Sequence, residues 1–516
     1  MRALTPVFLL MVSLPPAAAT AQTFRTDDAV IRRMWEVGME QSHAGRLAQV
    51  LIDSIGPRLS GTPGFQSAVD WLVATYGAWN VPVRAEQYGT WTGWRQGAVH
   101  LDLIAPRTQT LIARLLGWSP GTRRPVEASV VALPAFTSEA EAAAWLATVG
   151  GKVVLVSIPE PSCREPQAFE RLAREETYQA VREERERRRN TLSASLRQLG
   201  AQEAIARLEA AGAVAVLQSN WSQAWGANKI FSAPTRQVPA LDVSCEDYGL
   251  LHRLATNDQG PRVRLLAEAE RGEPAPMFNV VAELRGTELP DEYVILSAHL
   301  DSWHGATGAT DNGTGTITML EAMRILKETY PAPRRTILAG HWGGEEQGLI
   351  GSRAFTEDHP EIVQNLQVLF NQDNGTWRVE YIQAQGLLGA GRHLADWVAR
   401  LPTEIAEHID LDVPGPQETG GSDHVSFLCH GVPGWRLQSH YPDYRQYTWH
   451  TNLDTYDKIV FDDLRNNATL AAMLAYLAAE DLERVPRDRA VLPPDPRTGA
   501  PRGWIECRAT RRRPPN

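Results

Sequence analysis

Three apolar runs in the second half of the chain share one pattern: each is rich in strand-forming residues and each ends in a polar residue beside a turn. The run at 295–298 ends in His299 and Asp301, that at 336–342 leads into Gly-Gly-Glu-Glu-Gln-Gly at 343–348, and that at 366–370 leads to Asp373 and Gly375. Short apolar runs bounded by turn signals predict buried strands. Between the first two, apolar residues recur with helical period over 316–326, behind a Gly-rich loop that carries Asp311. The alternation predicts an α/β fold. Further upstream, 44–52 has an amphipathic helical pattern and 55–64 is rich in turn residues, while 151–157 and 211–217 read as short buried strands. The stretch 165–210 between those strands is charged and helical in period, including 182–189. A solvated helical hairpin is the first expectation there, and a lid or a contact between copies of a homodimer the alternative. The chain thus divides into 22–112, the first part of one domain; 113–270, a β-rich insertion; 271–485, the remainder of the first domain; and 486–516, a tail beyond a Pro-rich linker.

Open α/β sheets gather their ligands at the carboxyl ends of the strands, so the polar residues that end these runs are the candidate chemistry. His299 is a candidate metal ligand with Asp301 two residues on to orient it. Glu345 and Glu346 are adjacent, which lets one bind metal while its neighbour stays free as a base. Asp311 precedes a helix, where negative charge is favoured, and its two oxygens can bridge two cations. Asp373 ends the third run, and His450 supplies a second imidazole, with Asp454 four residues later as a partner for it. Any one of these features alone is more often structural than catalytic.

Taken in order, these elements resemble the co-catalytic dizinc exopeptidases, the family that includes bacterial leucyl-type aminopeptidases and carboxypeptidase Q. The family pattern of His-x-Asp, Asp-Asx-Gly-x-Gly, Glu-Glu-x-Gly, a strand-end Asp and His-Thr-x-x-Asp-Thr is matched at every step. The resemblance implies the zinc exopeptidase fold, α/β with a mixed, mostly parallel sheet sandwiched by helices, and the insertion as a protease-associated domain. It also implies two zinc ions per chain, one held by His299, Asp311 and Asp373, the other by Asp311, Glu346 and His450. Glu345 falls on the general base and Asp301 on the residue that orients His299; a hydroxide bridging the ions would be the nucleophile. The segment 419–427 resembles the family's Ser-Asp-His-x-x-Phe element, which makes Asp423 and His424 candidates for substrate contact. Trp449 stands where several members have Tyr, leaving Tyr447, Tyr444 and His424 as candidate oxyanion donors, with Tyr447 also a candidate substrate contact. The implied activity is hydrolysis of terminal bonds in short peptides, as an aminopeptidase first and as a carboxypeptidase or dipeptidase of the carboxypeptidase Q type second. A non-catalytic binding homologue would be expected to lose Glu345 or a ligand, and this chain keeps them. His304 and His341 fall off the ligand positions and read as rim and packing residues.

Composition changes the picture only at its edges. With 51 basic against 61 acidic residues in 516, a net charge of −10 argues against a nucleic-acid partner. The basic run from Arg508 to Arg513 reads as a solvated end. Arg2, an apolar run over 7–12 and Ala19-Thr-Ala21 predict a secretory leader cleaved after Ala21, hence a secreted or periplasmic enzyme without a membrane span. Four cysteines are too few for a disulfide-built fold but suit an oxidising compartment. Three pairings exist; if bridges form, domain locality favours Cys163 with Cys245 and Cys429 with Cys507.

Overall fold

The computed structural model describes residues 26–514 apart from 374, 441 and 496, so the leader expected at 1–21 lies outside the described residues. In chain order it forms helix α1 (Pro63–Ala78) and the long strand β1 (Val83–Ala105). The short strands β2 (Ala113–Leu115), β3 (Val126–Ala132), β4 (Val153–Leu155), β5 (Ala215–Gln218) and β6 (Ala240–Val243) follow, with the long helix α2 (Glu175–Gln198) between β4 and β5. A second long strand, β7 (Arg262–Leu284), leads to β8 (Leu289–His299), α3 (Thr314–Thr329), β9 (Arg335–Trp342), α4 (Ile350–Asp358), β10 (Leu366–Asn371), β11 (Gly434–Arg436) and α5 (Phe461–Glu480).

The main sheet has the order β11-β10-β8-β9-β7-β1, parallel from β11 to β9 and antiparallel beyond. Every residue of β9 and of β10 is buried, as expected of strands covered on both faces. Alternation along the strands sorts them: Val294 and Leu296 join the core formed with α3 and α5, while Ile295, Trp342 and Leu369 pack with Phe355 of α4 and Phe427. Helices therefore cover both faces, and each Leu, Ile or Phe so buried contributes roughly 1.5–3 kcal/mol.

Beyond the main sheet, β1 and β7 continue as an antiparallel ribbon into the insertion, where β3 pairs with β7 and the parallel set β3-β4-β5-β6 extends to the antiparallel β2. Of the two long strands, β7 crosses the expected border near 270, because the ribbon belongs to both parts of the sheet, while β1 ends at Ala105, short of the border near 112. The charged stretch is largely one helix, α2, with only Ser195 buried, flanked by short helices at Pro166–Leu172 and Ala204–Ala210. Two disulfides join Cys163 to Cys245 and Cys429 to Cys507.

The basic tail departs from its expected solvated course. Arg512 pairs with Glu357 (3.0 Å) and Asp358 (2.8 Å), and its carbonyl accepts from Thr90 N (3.0 Å). Two acids at the carboxyl end of α4 are disfavoured by the helix dipole, and Arg512 offsets that charge. No helix among the described residues is long and apolar enough to cross a membrane.

Candidate metal centre

Strand register brings the scattered acids and imidazoles to one edge. Trp342 of β9 lies opposite His299 of β8, so the 343–348 turn emerges beside the imidazole; Asn371 of β10 lies opposite Ser297, which carries Asp373 to the same edge. His299 Nε2 stands 3.5 Å from Asp311 Oδ1 and 3.3 Å from Asp373 Oδ1. His450 Nε2 stands 3.2 Å from Asp311 Oδ2 and 2.9 Å from Glu346 Oε2. The result is two donor triads, His299-Asp311-Asp373 and Asp311-Glu346-His450, that share Asp311, with the donor atoms of each within 4.8 Å of one another. The Asp311–Asn312 peptide bond is cis.

Other expected residues take roles the sequence did not specify. The Asp301 carboxylate stands 3.6 Å from His299 Nδ1, whereas its main-chain carbonyl is at 3.0 Å. That carboxylate also accepts from Glu345 N (3.1 Å) and Glu346 N (3.3 Å), fixing the acidic turn. Asp454, expected to partner His450, accepts from Thr310 N (2.7 Å) and Asp311 N (3.1 Å) and so closes the Asp311 loop. Trp449 stacks on His450 with ring centres 3.9 Å apart, so its indole packs the imidazole in place. Asp423 is buried and its oxygens find no donor among the described residues, while the buried His424 pairs with Glu418 at 2.5 Å. Tyr444 is buried as well. Tyr447 is 38% exposed and its hydroxyl donates to Glu165 of the insertion (2.9 Å) rather than joining either triad. Tyr447→Phe should therefore leave kcat/KM within about threefold of wild type in steady-state assays, where loss of an oxyanion donor would cost on the order of 10²- to 10³-fold. His304 and His341 pack as expected, bonded to Leu115 O and Tyr76 Oη at 2.7 Å each.

Charge explains what the cluster requires. Burial lifts the Glu345 carboxyl well above its usual range and lifts Glu346, Asp423 and Asp454 to about 7. Burial opposes protonation of His450, but Glu346 and Asp311 raise it to about 9; His299 is likewise raised by Asp373 and Glu345 against its burial. Asp311 moves the other way, because the two imidazoles outweigh its burial. Negative charge here exceeds what two imidazoles can balance, and the buried Asp311 Oδ2 and Glu346 Oε1 have no hydrogen-bond donor among the described residues. Oxygen and imidazole donors converging on two points fit dications such as zinc.

Several residues at the centre carried no distinguishing mark in the sequence. The fully buried Arg58 donates to the carbonyls of Gly56, Leu300, Thr307 and Gly308 at 2.8–2.9 Å, tying together the loops that bear Asp301 and Asp311. Burial lowers it to about 10, against the pull of Asp454 and Asp301. It lies in the turn-rich 55–64 segment, whose composition marked a loop but not this arginine. Tyr88 of β1 keeps a buried hydroxyl without a partner among the described residues. Phe231 of the insertion packs edge-on to His450 at 5.1 Å, and Ile230 N donates to His450 O (2.7 Å), so the insertion braces this imidazole.

Comparison with known proteins finds peptidases. Residues 279–475 match peptidase family M28. Carboxypeptidase Q of Xenopus laevis is 26% identical over 87% of this chain and 88% of its own, and that of Homo sapiens 25% identical over the same shares. Among solved structures, a peptidase M28 precursor from Shewanella amazonensis superposes with a TM-score of 0.64 at 24% identity, covering 90% of this chain and 98% of its own. A zinc aminopeptidase from Bacillus subtilis gives 0.55 at 18% identity, covering 87% and 97%. The structural likeness establishes the fold, a mixed, mostly parallel α/β sheet covered by helices.

Proposed function

We propose, from the premise that this chain belongs to the co-catalytic zinc exopeptidases, that it is an exported hydrolase of short peptides that needs a free carboxyl terminus, as a carboxypeptidase or dipeptidase does. The observation that carries the hydrolytic part is the pair of triads sharing Asp311, with Glu345 beside them and outside both. His299, Asp311 and Asp373 would hold one zinc ion, and Asp311, Glu346 and His450 a second. Zinc bound there supplies Lewis acidity, drawing the pKa of water from 15.7 toward about 7 and polarising the scissile carbonyl. Glu345, its backbone fixed by Asp301, takes the proton of the attacking water at a carboxylate oxygen and returns it to the leaving amine. Asp454 and Arg58 hold the Asp311 loop, and Trp449 and Phe231 hold His450, so the donors keep their spacing as the proton moves. Two disulfides suit an oxidising compartment and support export, and the insertion reads as a protease-associated domain.

Support for the carboxyl end comes from relatives named carboxypeptidase Q that align over most of both chains. The aminopeptidase reading rests on a motif order common to both activities and on a likeness of fold. A panel of Ala-Ala, N-acetyl-Ala-Ala and Ala-Ala-amide, assayed with zinc, separates the two. Cleavage of the free dipeptide with loss of the amide is the expected result; equal cleavage of amide and free acid would return the assignment to an aminopeptidase.

A further inference from the structure

A cavity of about 130 Å³ lies between α4, the short helix His424–Leu428 and the C-terminal tail. It exceeds by an order of magnitude the roughly 10–15 Å³ that one water needs. Arg353 projects into it from α4 and Arg508 from the tail, beside Thr419, Ser426 and His430. Neither guanidinium has an ion-pair or hydrogen-bond partner among the described residues, although the chain supplies carboxylates freely elsewhere. Glu357, also in the wall, is occupied by Arg512 and Thr510 N, and Glu506 stands exposed on the tail at the lip. Two guanidiniums face one cavity, and burial together with Arg508 lowers the Arg353 pKa against the pull of Asp423, Glu345 and Glu357. The arrangement is stabilised when an anion enters.

Its position relates it to the proposed chemistry. Backbone bonds from Ile350 N to Gly344 O and from Gly351 N to Gly343 O seat α4 directly on the turn that carries Glu345. Ser352 and Ser426 are bonded hydroxyl to hydroxyl at 2.8 Å, joining α4 to the helix that begins beside Asp423. Arg353 thus stands about one turn into a helix whose first residues are bonded to the Glu345 turn, and its charge interacts with those of Asp423 and Glu345. Arg508 directly follows Cys507, whose disulfide to Cys429 fixes the tail against that second helix. We propose that this cavity is the subsite for the carboxylate at the C-terminal end of the peptide, held by Arg353 and by an Arg508 that the disulfide-anchored tail delivers. The proposal rests on the peptidase reading above, and goes beyond it by naming the groups that choose the terminus.

The test compares Ala-Ala with Ala-Ala-amide. In the zinc-loaded enzyme, Arg353→Met and Arg508→Met should each cut the ratio of kcat/KM for acid over amide by about ten- to hundredfold, through KM, as expected for loss of a charge-assisted bond. Arg353→Lys should recover part of it, and Cys429→Ser with Cys507→Ser should lower the same ratio by freeing the tail. Arg508 is exposed, so its removal leaves the fold intact and keeps the test open should Arg353→Met prove unstable. Calorimetric binding of Ala-Ala to the Glu345→Gln protein, with and without each arginine change, gives a readout independent of turnover. Arginine-dependent binding by a protein whose wild type hydrolyses neither peptide would keep the subsite and overturn the peptidase reading. Hydrolysis with an acid-to-amide ratio unchanged in both arginine variants would overturn the subsite and keep the peptidase.

Discussion

Glu345→Gln should lower kcat by about 10²- to 10⁴-fold while zinc content stays at the wild-type level. The amide keeps the volume and the backbone bond from Glu345 N to Asp301 (3.1 Å), so the turn that positions Glu346 is undisturbed. It removes only a group able to accept a proton. Neither triad includes Glu345, which is why metal and turnover should separate in this variant. The measurement is single-substrate kinetics on Ala-Ala beside elemental analysis of the same preparation. Loss of zinc with the activity would exchange the roles of Glu345 and Glu346.

Asp311→Ala should abolish activity and reduce zinc at both positions, whereas His450→Ala should chiefly affect one. Asp311 Oδ1 faces His299 and Oδ2 faces His450, so one substitution deletes a donor from each triad and also the negative charge that offsets repulsion between adjacent cations. Asp454 adds to the effect, since its two bonds to Thr310 N and Asp311 N presuppose the native loop. Zinc stoichiometry of the two purified variants checks the difference. Two tightly held ions in Asp311→Ala would show that this carboxylate does not serve both positions.

The strands and the donors were legible because they rest on local signals: an apolar run followed by a turn names both a strand and the residue at its end. His299, the 343–348 turn and Asp373 meet for that reason, and β8, β9 and β10 fall where the runs predicted. Hidden from the sequence were interactions that depend on chain segments far apart. Arg58 acts on carbonyls more than 240 positions away, and no local pattern marks a buried arginine whose partners are main-chain atoms. Asp301 and Asp454 were expected to partner the two imidazoles, and their carboxylates accept from backbone N–H groups of neighbouring loops. The tail looked solvated because composition shows its charge but not the acids at the end of α4 that receive it. Tyr447 stood near His450 in sequence, yet the left-handed turn at His450 (φ 60°) and the bond to Glu165 leave it on the surface.

The most direct test of the account is a zinc titration of the chelator-stripped protein, followed by metal content per chain and by hydrolysis of Ala-Ala on the same samples. The account predicts no hydrolysis in the stripped protein, recovery as zinc is restored, and saturation at two ions per chain. Full hydrolysis without metal, or full recovery at a single ion with no second bound, would contradict it.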